Sequence, residues 1–149
     1  MKIQRFELTM SEIMTPDQAN FAGNIHGGHI MRFLDKVAYA CAARYSGRYV
    51  VTLSVDQITF KQPIHVADLV TCLASVNHVG TSSMEIGIKV ISENLITGSV
   101  SHTNSCFFTM IAMDENHKPV AIEPLEIITK EQQRRFDDAK RRKKIRLGK

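Results

Sequence analysis

The sequence predicts an α+β fold, in which an antiparallel sheet of about five strands wraps around one long central helix and a basic helix follows at the C-terminus. The long helical pattern, from Gly27 to Tyr45, is apolar or small on nearly every face, as in a buried helix. From Val51 to Met113 the apolar residues instead recur at every second position, which indicates antiparallel strands. A single helix is buried on most sides only if the sheet curves around it.

The length of 149 residues suits a single domain with a substantial core. With 44% hydrophobic and 23% charged residues, the composition is that of an ordinary globular protein. We therefore assign residues 1–128 to one folded domain and residues 129–149 to a basic helical tail.

The net charge of +4 is unevenly distributed along the chain. Residues 130–149 hold ten Lys/Arg and three Asp/Glu, a net charge of +7. The remaining residues hold nine Lys/Arg and twelve Asp/Glu, a net charge of −3. Because the basicity belongs to the tail alone, it does not indicate a nucleic-acid-binding surface on the body of the protein.

The sequence gives no indication of export or of a membrane span. The N-terminal segment has no continuous apolar run of the signal-peptide type, and no stretch approaches the roughly 18 apolar residues of a spanning helix. Cys41, Cys72 and Cys106 are odd in number, widely spaced and set in apolar runs. That pattern indicates reduced core residues rather than disulfides or a zinc site, and we expect a cytoplasmic protein.

Turn residues separate the predicted elements. The helix ends before Gly47, a residue suited to a left-handed C-cap. After the helix, the apolar phase changes across Asp56-Gln57, which predicts a bulge or bend within one long strand. The expected boundaries are 6–13 for the first strand, 14–26 for a loop, 27–46 for the helix, and 51–63, 66–78, 82–96 and 100–113 for the other strands.

The last long strand is apolar on both of its faces. One face covers the helix, and we expect the other to contact a second subunit. The two faces consist of Cys106, Phe108, Met110 and Ala112 on one side, and of Phe107, Ile111 and Met113 on the other.

The tail has the composition of a helix. Thr129 is a predicted N-cap, and Gln132, three residues later, is its capping-box partner. Residues 140–144 are all Lys or Arg, so we expect this end to be too charged to pack and to fray.

The central helix carries one polar stripe, because Arg32, Asp35, Lys36 and Tyr39 recur at spacings of three and four. A carboxylate in so apolar a helix is costly unless it is paired or used in chemistry. Asp35 is therefore the leading candidate for a catalytic residue. It would act as a general base on water, or as a nucleophile that forms an anhydride.

Gly27 and Gly28 begin this helix and leave its first N–H groups open to close approach by a ligand. With the helix dipole, these groups suit a carbonyl oxygen that becomes an oxyanion. Gly28 and Asp35 are seven residues apart, which is about 10 Å along a helix and too far for one carbonyl to contact both. The sequence therefore predicts that Asp35 of one chain meets Gly28 of a second chain across a two-fold axis.

The segment from Pro16 to Asp35 resembles the acyl-CoA thioesterase branch of the hotdog-fold proteins. The shared pattern is a Pro-Asp loop, an Asn, a Gly, a Gly-Gly helix start and an Asp two turns into the helix. The resemblance spans about residues 5–122 and departs at His26, where many bacterial relatives have Phe. Weaker matches are Val50-Val51-Thr52, Val55-Asp56, Phe60, Pro63, Val66, Asp68, Gly80-Thr81-Ser82-Ser83 and Asp114.

The resemblance implies a hotdog thioesterase domain over residues 1–128 that hydrolyses acyl-CoA to a free fatty acid and CoA, with no separate cofactor. It also implies a homodimer as the catalytic unit, with further assembly into a hexamer as a trimer of dimers. Asn20 of the partner chain would hold the carbonyl or the attacking water, beside Gly28 and Asp35.

Further residues are candidates for substrate binding. CoA carries several phosphate charges, so Arg44 or the cations of the tail would help to neutralise them. The residues assigned to substrate binding are His26, Gly27, Lys61 and the turn residues Thr81, Ser82 and Ser83. For the turn residues, an ordinary hairpin turn is the alternative.

Each catalytic assignment has a structural alternative. Asp35 can simply pair with Arg32 or Tyr39, and Asn20 can serve only as a turn residue. The two glycines can serve only to allow tight packing of the helix on the sheet.

His26 and His29 have a spacing that resembles a metal pair, but no third ligand is evident. We therefore expect no metal, and regard hydrogen bonding to the loop as the alternative role of these histidines.

Other functions remain open at this stage. One is a non-catalytic acyl-CoA sensor. Another is a hotdog hydratase or dehydratase, for which the helix offers Asp35 but no suitably placed His. Nucleic-acid binding by the tail is not expected, because a single basic helix does not make a helix-turn-helix motif.

Overall fold

The computed structural model describes residues 4–56 and 58–148. Five strands form one antiparallel sheet in the order β1-β3-β4-β5-β2, and two helices pack on it. The predicted α+β architecture is therefore confirmed. The elements are β1 (Glu7–Ile13), a 3-10 turn (Pro16–Gln18), α1 (Gly27–Ser46), β2 (Tyr49–Val55), β3 (Asp68–Val79), β4 (Ser83–Asn94), β5 (Val100–Met113) and α2 (Lys130–Arg146).

The core lies between α1 and the inner face of the sheet. Alternate residues of the three central strands point at the helix, and Leu34, Val37 and Ala38 of α1 meet them with no exposed surface. This burial of apolar side chains is the main source of stability for such a layer. The inner-face residues are Val70, Cys72, Ala74 and Val76 of β3, Met84, Ile86, Ile88 and Val90 of β4, and Cys106, Phe108, Met110 and Ala112 of β5.

α1 begins and ends where the sequence predicts. It ends at a left-handed Gly47, with φ of +67°, a conformation that favours glycine. The predicted polar stripe is the one face of α1 that the sheet leaves uncovered, with Arg32, Asp35, Lys36 and Tyr39 exposed in the single chain.

β2 is shorter than predicted. It ends at Val55, and its register with β5 shifts between Thr52 and Ser54. The expectation of one strand continuing to Pro63 is therefore wrong, and the predicted bend partly falls on Gln57, outside the described residues. Beyond Val55 the amides of Asp56 and Lys61 still donate to carbonyls of β5, without a regular strand, and Ile64 then accepts a hydrogen bond from Ile25 just before α1.

The outer face of β5 is covered partly by the same chain. The guanidinium carbon of Arg142 in α2 lies 3.6 Å from the ring centroid of Phe107. The expectation that this face contacts only a second subunit is therefore wrong at Phe107, because a stacked guanidinium shields an aromatic ring from water.

α2 starts as predicted. The Thr129 hydroxyl accepts a hydrogen bond from the Gln132 amide at 3.1 Å, and the Gln132 side chain accepts one from the Thr129 amide at 3.0 Å. These two bonds are the predicted capping box.

The far end of α2 packs on the sheet, although it was expected to fray. Arg142 makes two 2.8 Å bonds to Glu85, whose side chain is only 5% exposed. Arg146 lies 3.4 Å from Asp56. The prediction failed because the carboxylates that pair with these cations, Glu85 on β4 and Asp56 just after β2, are distant in sequence.

The three cysteines are buried and free, as expected. Burial raises the pKa of each thiol to about 12, so none of them is a ready nucleophile. Among the residues that the structure describes, neither helix is both long and apolar enough to cross a membrane.

Candidate active site

A tight loop before α1 holds Asn20. Its side-chain oxygen accepts hydrogen bonds from the amides of Ala22 and Asn24, at 2.9 and 3.1 Å, and Gly23 turns the chain with φ of +85°. Asn20 is therefore a turn residue, as its structural alternative predicts. Its side-chain NH₂ group makes no hydrogen bond to any described residue and remains available as a donor.

The start of α1 is uncapped. His26 occupies the N-cap position, but its side chain makes no capping hydrogen bond. The helix's first backbone bonds come from His29 and Ile30 to the His26 carbonyl, so the amides of Gly27 and Gly28 are not used within the described chain. Both glycines are exposed, and a Cβ at Gly28 would meet no atom within 4 Å. Two bare amides, with open space beside Gly28, are a suitable site for a carbonyl oxygen.

Asp35 is held by β2 rather than by its helix neighbours. The Thr52 hydroxyl donates a 2.6 Å hydrogen bond to its Oδ1, and the same hydroxyl lies 3.4 Å from the sulfur of Met110. Among the residues that the structure describes, Asp35 forms no salt bridge, so the alternative of a pair with Arg32 is not observed. One oxygen of Asp35 is fixed and its exposed carboxylate faces outward, which suits a base or nucleophile.

Thr52 is a residue of the candidate site for which the sequence predicts no role. Thr52 and Asp35 are 17 residues apart, on a strand and on a helix. A threonine in a strand is ordinary by composition, so only the packing of β2 beside α1 reveals the contact.

Within one chain, the helix start and Asp35 are not brought together. α1 is unbroken from Gly27 to Ser46, so the bare amide of Gly28 and the carboxylate of Asp35 lie about 10 Å apart along its axis. Asn20 precedes the helix start and belongs with Gly28. The structure thus brings Asn20, Gly27 and Gly28 to one end of the helix, and leaves Asp35 two turns away.

The histidines near the helix start do not form a metal site. His29 lies 3.1 Å from Glu12 of β1, and His26 is exposed. No cluster of three or more metal-ligating side chains occurs in residues 4–56 and 58–148. Hydrogen bonding of His29 to Glu12 instead ties α1 to the edge strand.

The turn between β3 and β4 is a structural hairpin. The carbonyls of Thr81 and Ser82 accept hydrogen bonds from Ile122 and Ala112, at 2.8 and 2.9 Å, so they are occupied. The ammonium of Lys143 in α2 lies close to Gly80, within 3.0 Å of where a Cβ would stand there. This places a cation of the tail beside the turn.

The pKa of His78, near the end of β3, is lowered by its surroundings beside α2. Burial is the largest cause, followed by the positive charge of Lys143, with Lys140 and Arg146 adding to it and Glu85 opposing it. The ring of His78 packs on Phe136, with centroids 4.9 Å apart. The end of α2 is thus a locally positive surface.

Lys61 lies elsewhere. Its amide donates to the Thr103 carbonyl at 3.4 Å. This contact lies near the start of α1, since the neighbouring residue Phe60 packs against Gly27. Ser83 pairs with Ile111 of β5, eight residues beyond Thr103, or about 27 Å along the strand. Within one chain, Lys61 and the 80–83 turn therefore do not come together.

Comparison with known proteins gives a consistent result. A family model described as the thioesterase superfamily matches residues 22–99. The chain is 49% identical over 142 residues to Protein VdlD of Helicobacter pylori, which covers 95% of this chain and 81% of that protein. It is 40% identical over 107 residues to YkhA of Bacillus subtilis, described as an uncharacterized acyl-CoA thioester hydrolase, over 72% of this chain and 62% of that one.

Solved structures with the same fold are also similar. An apo-hexameric acyl-CoA thioesterase superposes with a TM-score of 0.92 at 33% identity, covering 97% of this chain and 92% of that one. An acyl-CoA hydrolase from Staphylococcus aureus, solved with butyryl coenzyme A and coenzyme A, gives 0.87 at 25% identity, over 95% and 87% of the two chains. The predicted hotdog fold is thereby confirmed.

Proposed function

Because this chain belongs to the thioesterase superfamily, we propose that it is an acyl-CoA thioesterase that releases a free fatty acid and CoA. The observation that carries the proposal is the exposed carboxylate of Asp35, fixed by a 2.6 Å hydrogen bond from Thr52. A second support is the uncapped helix start at Gly27 and Gly28. Similar chains that are described as acyl-CoA thioesterases or hydrolases support the substrate class.

In the proposed mechanism, the thioester carbonyl oxygen accepts hydrogen bonds from the bare amides at the helix start of one chain. The NH₂ group of Asn20 on that chain holds the carbonyl or the attacking water. Asp35 of the second chain removes a proton from the water as its oxygen bonds to the carbonyl carbon. The C–S bond then breaks, and the CoA thiolate leaves and takes up a proton.

A direct attack by Asp35 is the alternative route. Its carboxylate oxygen would bond to the carbonyl carbon, displace the CoA thiolate and leave a mixed anhydride, which water then hydrolyses to the fatty acid and free Asp35. The hydrogen bond from Thr52 fixes one oxygen in either route, so the geometry serves both.

The catalytic unit in this proposal is a homodimer, because Gly28 and Asp35 lie about 10 Å apart on one rigid helix. The exposed polar stripe of α1 is the surface on which two such helices would meet. Assembly as a trimer of dimers is consistent with the two similar thioesterases that are described as hexameric.

The positive surface at the end of α2 would bind the phosphates of CoA. Lys143 lies beside the turn that contains Thr81, Ser82 and Ser83, and it forms no ion pair with any described residue. Lys140 is exposed one turn earlier. His26 and Lys61 would contact the substrate near the other end of the sheet, from the chain that supplies the helix start.

The first experiment measures thiol release from acyl-CoAs of increasing chain length. Asp35→Asn is nearly isosteric and should lower kcat about 100-fold or more while the protein stays folded. The matched control is Asp137→Asn, an exposed helical carboxylate whose contact is with Gln133, and it should retain full activity. Retention of activity in Asp35→Asn rejects the mechanism. Binding of acyl-CoA without thiol release by the wild type would instead indicate a sensor.

A second experiment tests the two-chain site. Asp35→Asn chains and Asn20→Ala chains are purified separately, dissociated and reassembled together. If Asn20 and Asp35 of different chains share a site, each mixed dimer regains one intact site and activity returns. If both residues serve a site within one chain, every site keeps a defect and the mixture stays inactive.

A further inference from the structure

Asn104 is a buried polar side chain whose hydrogen bonds are unmade. It is 4% exposed, and neither its Oδ1 nor its Nδ2 atom has a partner among the described residues, although both atoms are shielded from solvent. A primary amide offers two donors and an acceptor. Nearly all buried polar groups in proteins are satisfied, so an amide with both ends unpaired indicates a missing partner.

The surroundings of Asn104 are apolar. It belongs to the inward-facing row of β5 that continues through Cys106 and Phe108, and it is paired across the sheet with Val90, which itself pairs with Cys72 of β3. None of these neighbours offers the amide a side-chain partner, so the amide is free to bind a polar group from outside the chain.

Asn104 lies beneath the start of α1. The neighbouring Thr103 carbonyl accepts a hydrogen bond from Lys61, and Phe60, beside Lys61, packs against Gly27. The opposite end of β5 pairs with β2, which follows the C-terminal end of α1. Asn104 therefore lies on the part of the inner face that is nearest to the start of α1, where the thioester carbonyl is proposed to bind.

We propose that Asn104 is a specificity-determining residue, which hydrogen-bonds an oxygen atom carried on the acyl chain within a few carbons of the thioester. In the proposed complex, the acyl group has its carbonyl at the helix start and its chain runs beneath α1, past this amide. A hydroxyl or oxo group there would satisfy it, whereas a saturated chain would leave it unpaired. The proposal rests on the proposed acyl-CoA thioesterase function and names the substrate class of that same site.

The test compares acyl-CoAs of equal chain length that differ by one hydroxyl. The substrates are hexanoyl-CoA, 3-hydroxyhexanoyl-CoA and 5-hydroxyhexanoyl-CoA. We expect kcat/KM to be at least about tenfold higher for one of the two hydroxylated substrates than for hexanoyl-CoA, because a buried polar group penalises the analogue that cannot pair with it. In Asn104→Leu this preference should disappear or reverse, while hexanoyl-CoA is hydrolysed at least as well. Asn104→Ala is measured beside it.

The matched control is Thr103→Val, which removes the adjacent buried hydroxyl that donates to the Val90 carbonyl at 3.3 Å. It should lower the thermal midpoint and leave the substrate ratio unchanged. Asn104→Leu should unfold no earlier than the wild type, because it replaces an unpaired buried amide with an apolar side chain. A wild-type ratio near one, or a ratio unchanged in both Asn104 variants, overturns the proposal.

A binding assay separates the specificity role of Asn104 from the proposed thioesterase function. Titration calorimetry with the thioethers S-hexyl-CoA and S-(3-hydroxyhexyl)-CoA or S-(5-hydroxyhexyl)-CoA reads the preference without any hydrolysis. A preference that Asn104→Leu removes sustains the specificity role even if no thiol is released from any acyl-CoA. Equal affinities for all three thioethers in an active enzyme overturn the specificity role and leave the thioesterase function in place.

Discussion

Removal of the Arg142 side chain should strongly destabilise the protein. Arg142 makes two 2.8 Å hydrogen bonds to Glu85, and the Glu85 side chain is only 5% exposed. In Arg142→Ala the carboxylate of Glu85 stays buried with only Asn77 as a donor, at 3.2 Å. The truncated variant also uncovers the ring of Phe107.

The expected magnitude follows from the burial of this pair. Breaking a buried ion pair from one side costs about 3–5 kcal/mol, and the lower end applies because the Arg142 side chain is itself 26% exposed. For a chain of this length, about 3 kcal/mol corresponds to a fall of about 12 °C in the thermal midpoint, at roughly 4 °C per kcal/mol.

The assay is thermal unfolding followed by circular dichroism, at one fixed protein concentration because assembly adds to apparent stability. Arg134→Ala is the matched control, since Arg134 lies on the same helix and pairs with Glu131 and Asp138 at the surface, where ion pairs contribute little. Its midpoint should not change. Adding Glu85→Gln to Arg142→Ala should restore much of the loss, because the buried group is then neutral.

Equal midpoints for Arg142→Ala and Arg134→Ala would refute this account of how α2 is held. The same reasoning makes deletion of the tail a poor test of CoA binding. Truncation after Thr129 would leave Glu85 without Arg142, so a raised KM could not be separated from a damaged fold.

Three further predictions concern single side chains. Thr52→Val keeps the shape but removes the hydrogen bond to Asp35, so kcat should fall about tenfold with little change in stability, as measured by thiol release and thermal unfolding. In His78→Phe the packing on Phe136 is retained and the titration is lost. The pKa of His78 is below its usual value of 6.5 in the folded state, so the unfolded chain binds the proton more tightly, and wild-type stability falls as pH drops below about 6.5. The variant should therefore lose less stability than the wild type between pH 7.5 and 5.5 in thermal melts. Parallel curves of stability against pH for the two proteins would contradict this. Lys143→Ala should raise KM for acyl-CoA a few-fold without changing kcat, and an unchanged KM removes the proposed phosphate contact.

Much of the candidate site follows from local sequence. The two glycines at the start of α1 and the polar stripe that contains Asp35 are set by helical spacing, which the sequence states directly. The prediction of a second chain also follows, because the rise of a helix fixes the separation of Gly28 and Asp35. The support of Asp35 by Thr52 does not follow, since a hydroxyl 17 residues away is placed by strand packing alone.

The sequence by itself determined the elements whose signals lie within a few residues of one another. The capping box at Thr129, the left-handed Gly47 and the alternation of the central strands are of this kind, because dihedral preferences and periodicity act locally. The tertiary structure alone decided the outcomes that depend on which distant groups meet. Arg142 became the partner of a buried carboxylate rather than a fraying charge because Glu85 lies 57 residues away on a strand beneath it. The Asn104 amide is likewise enclosed without a described partner by residues distant in sequence.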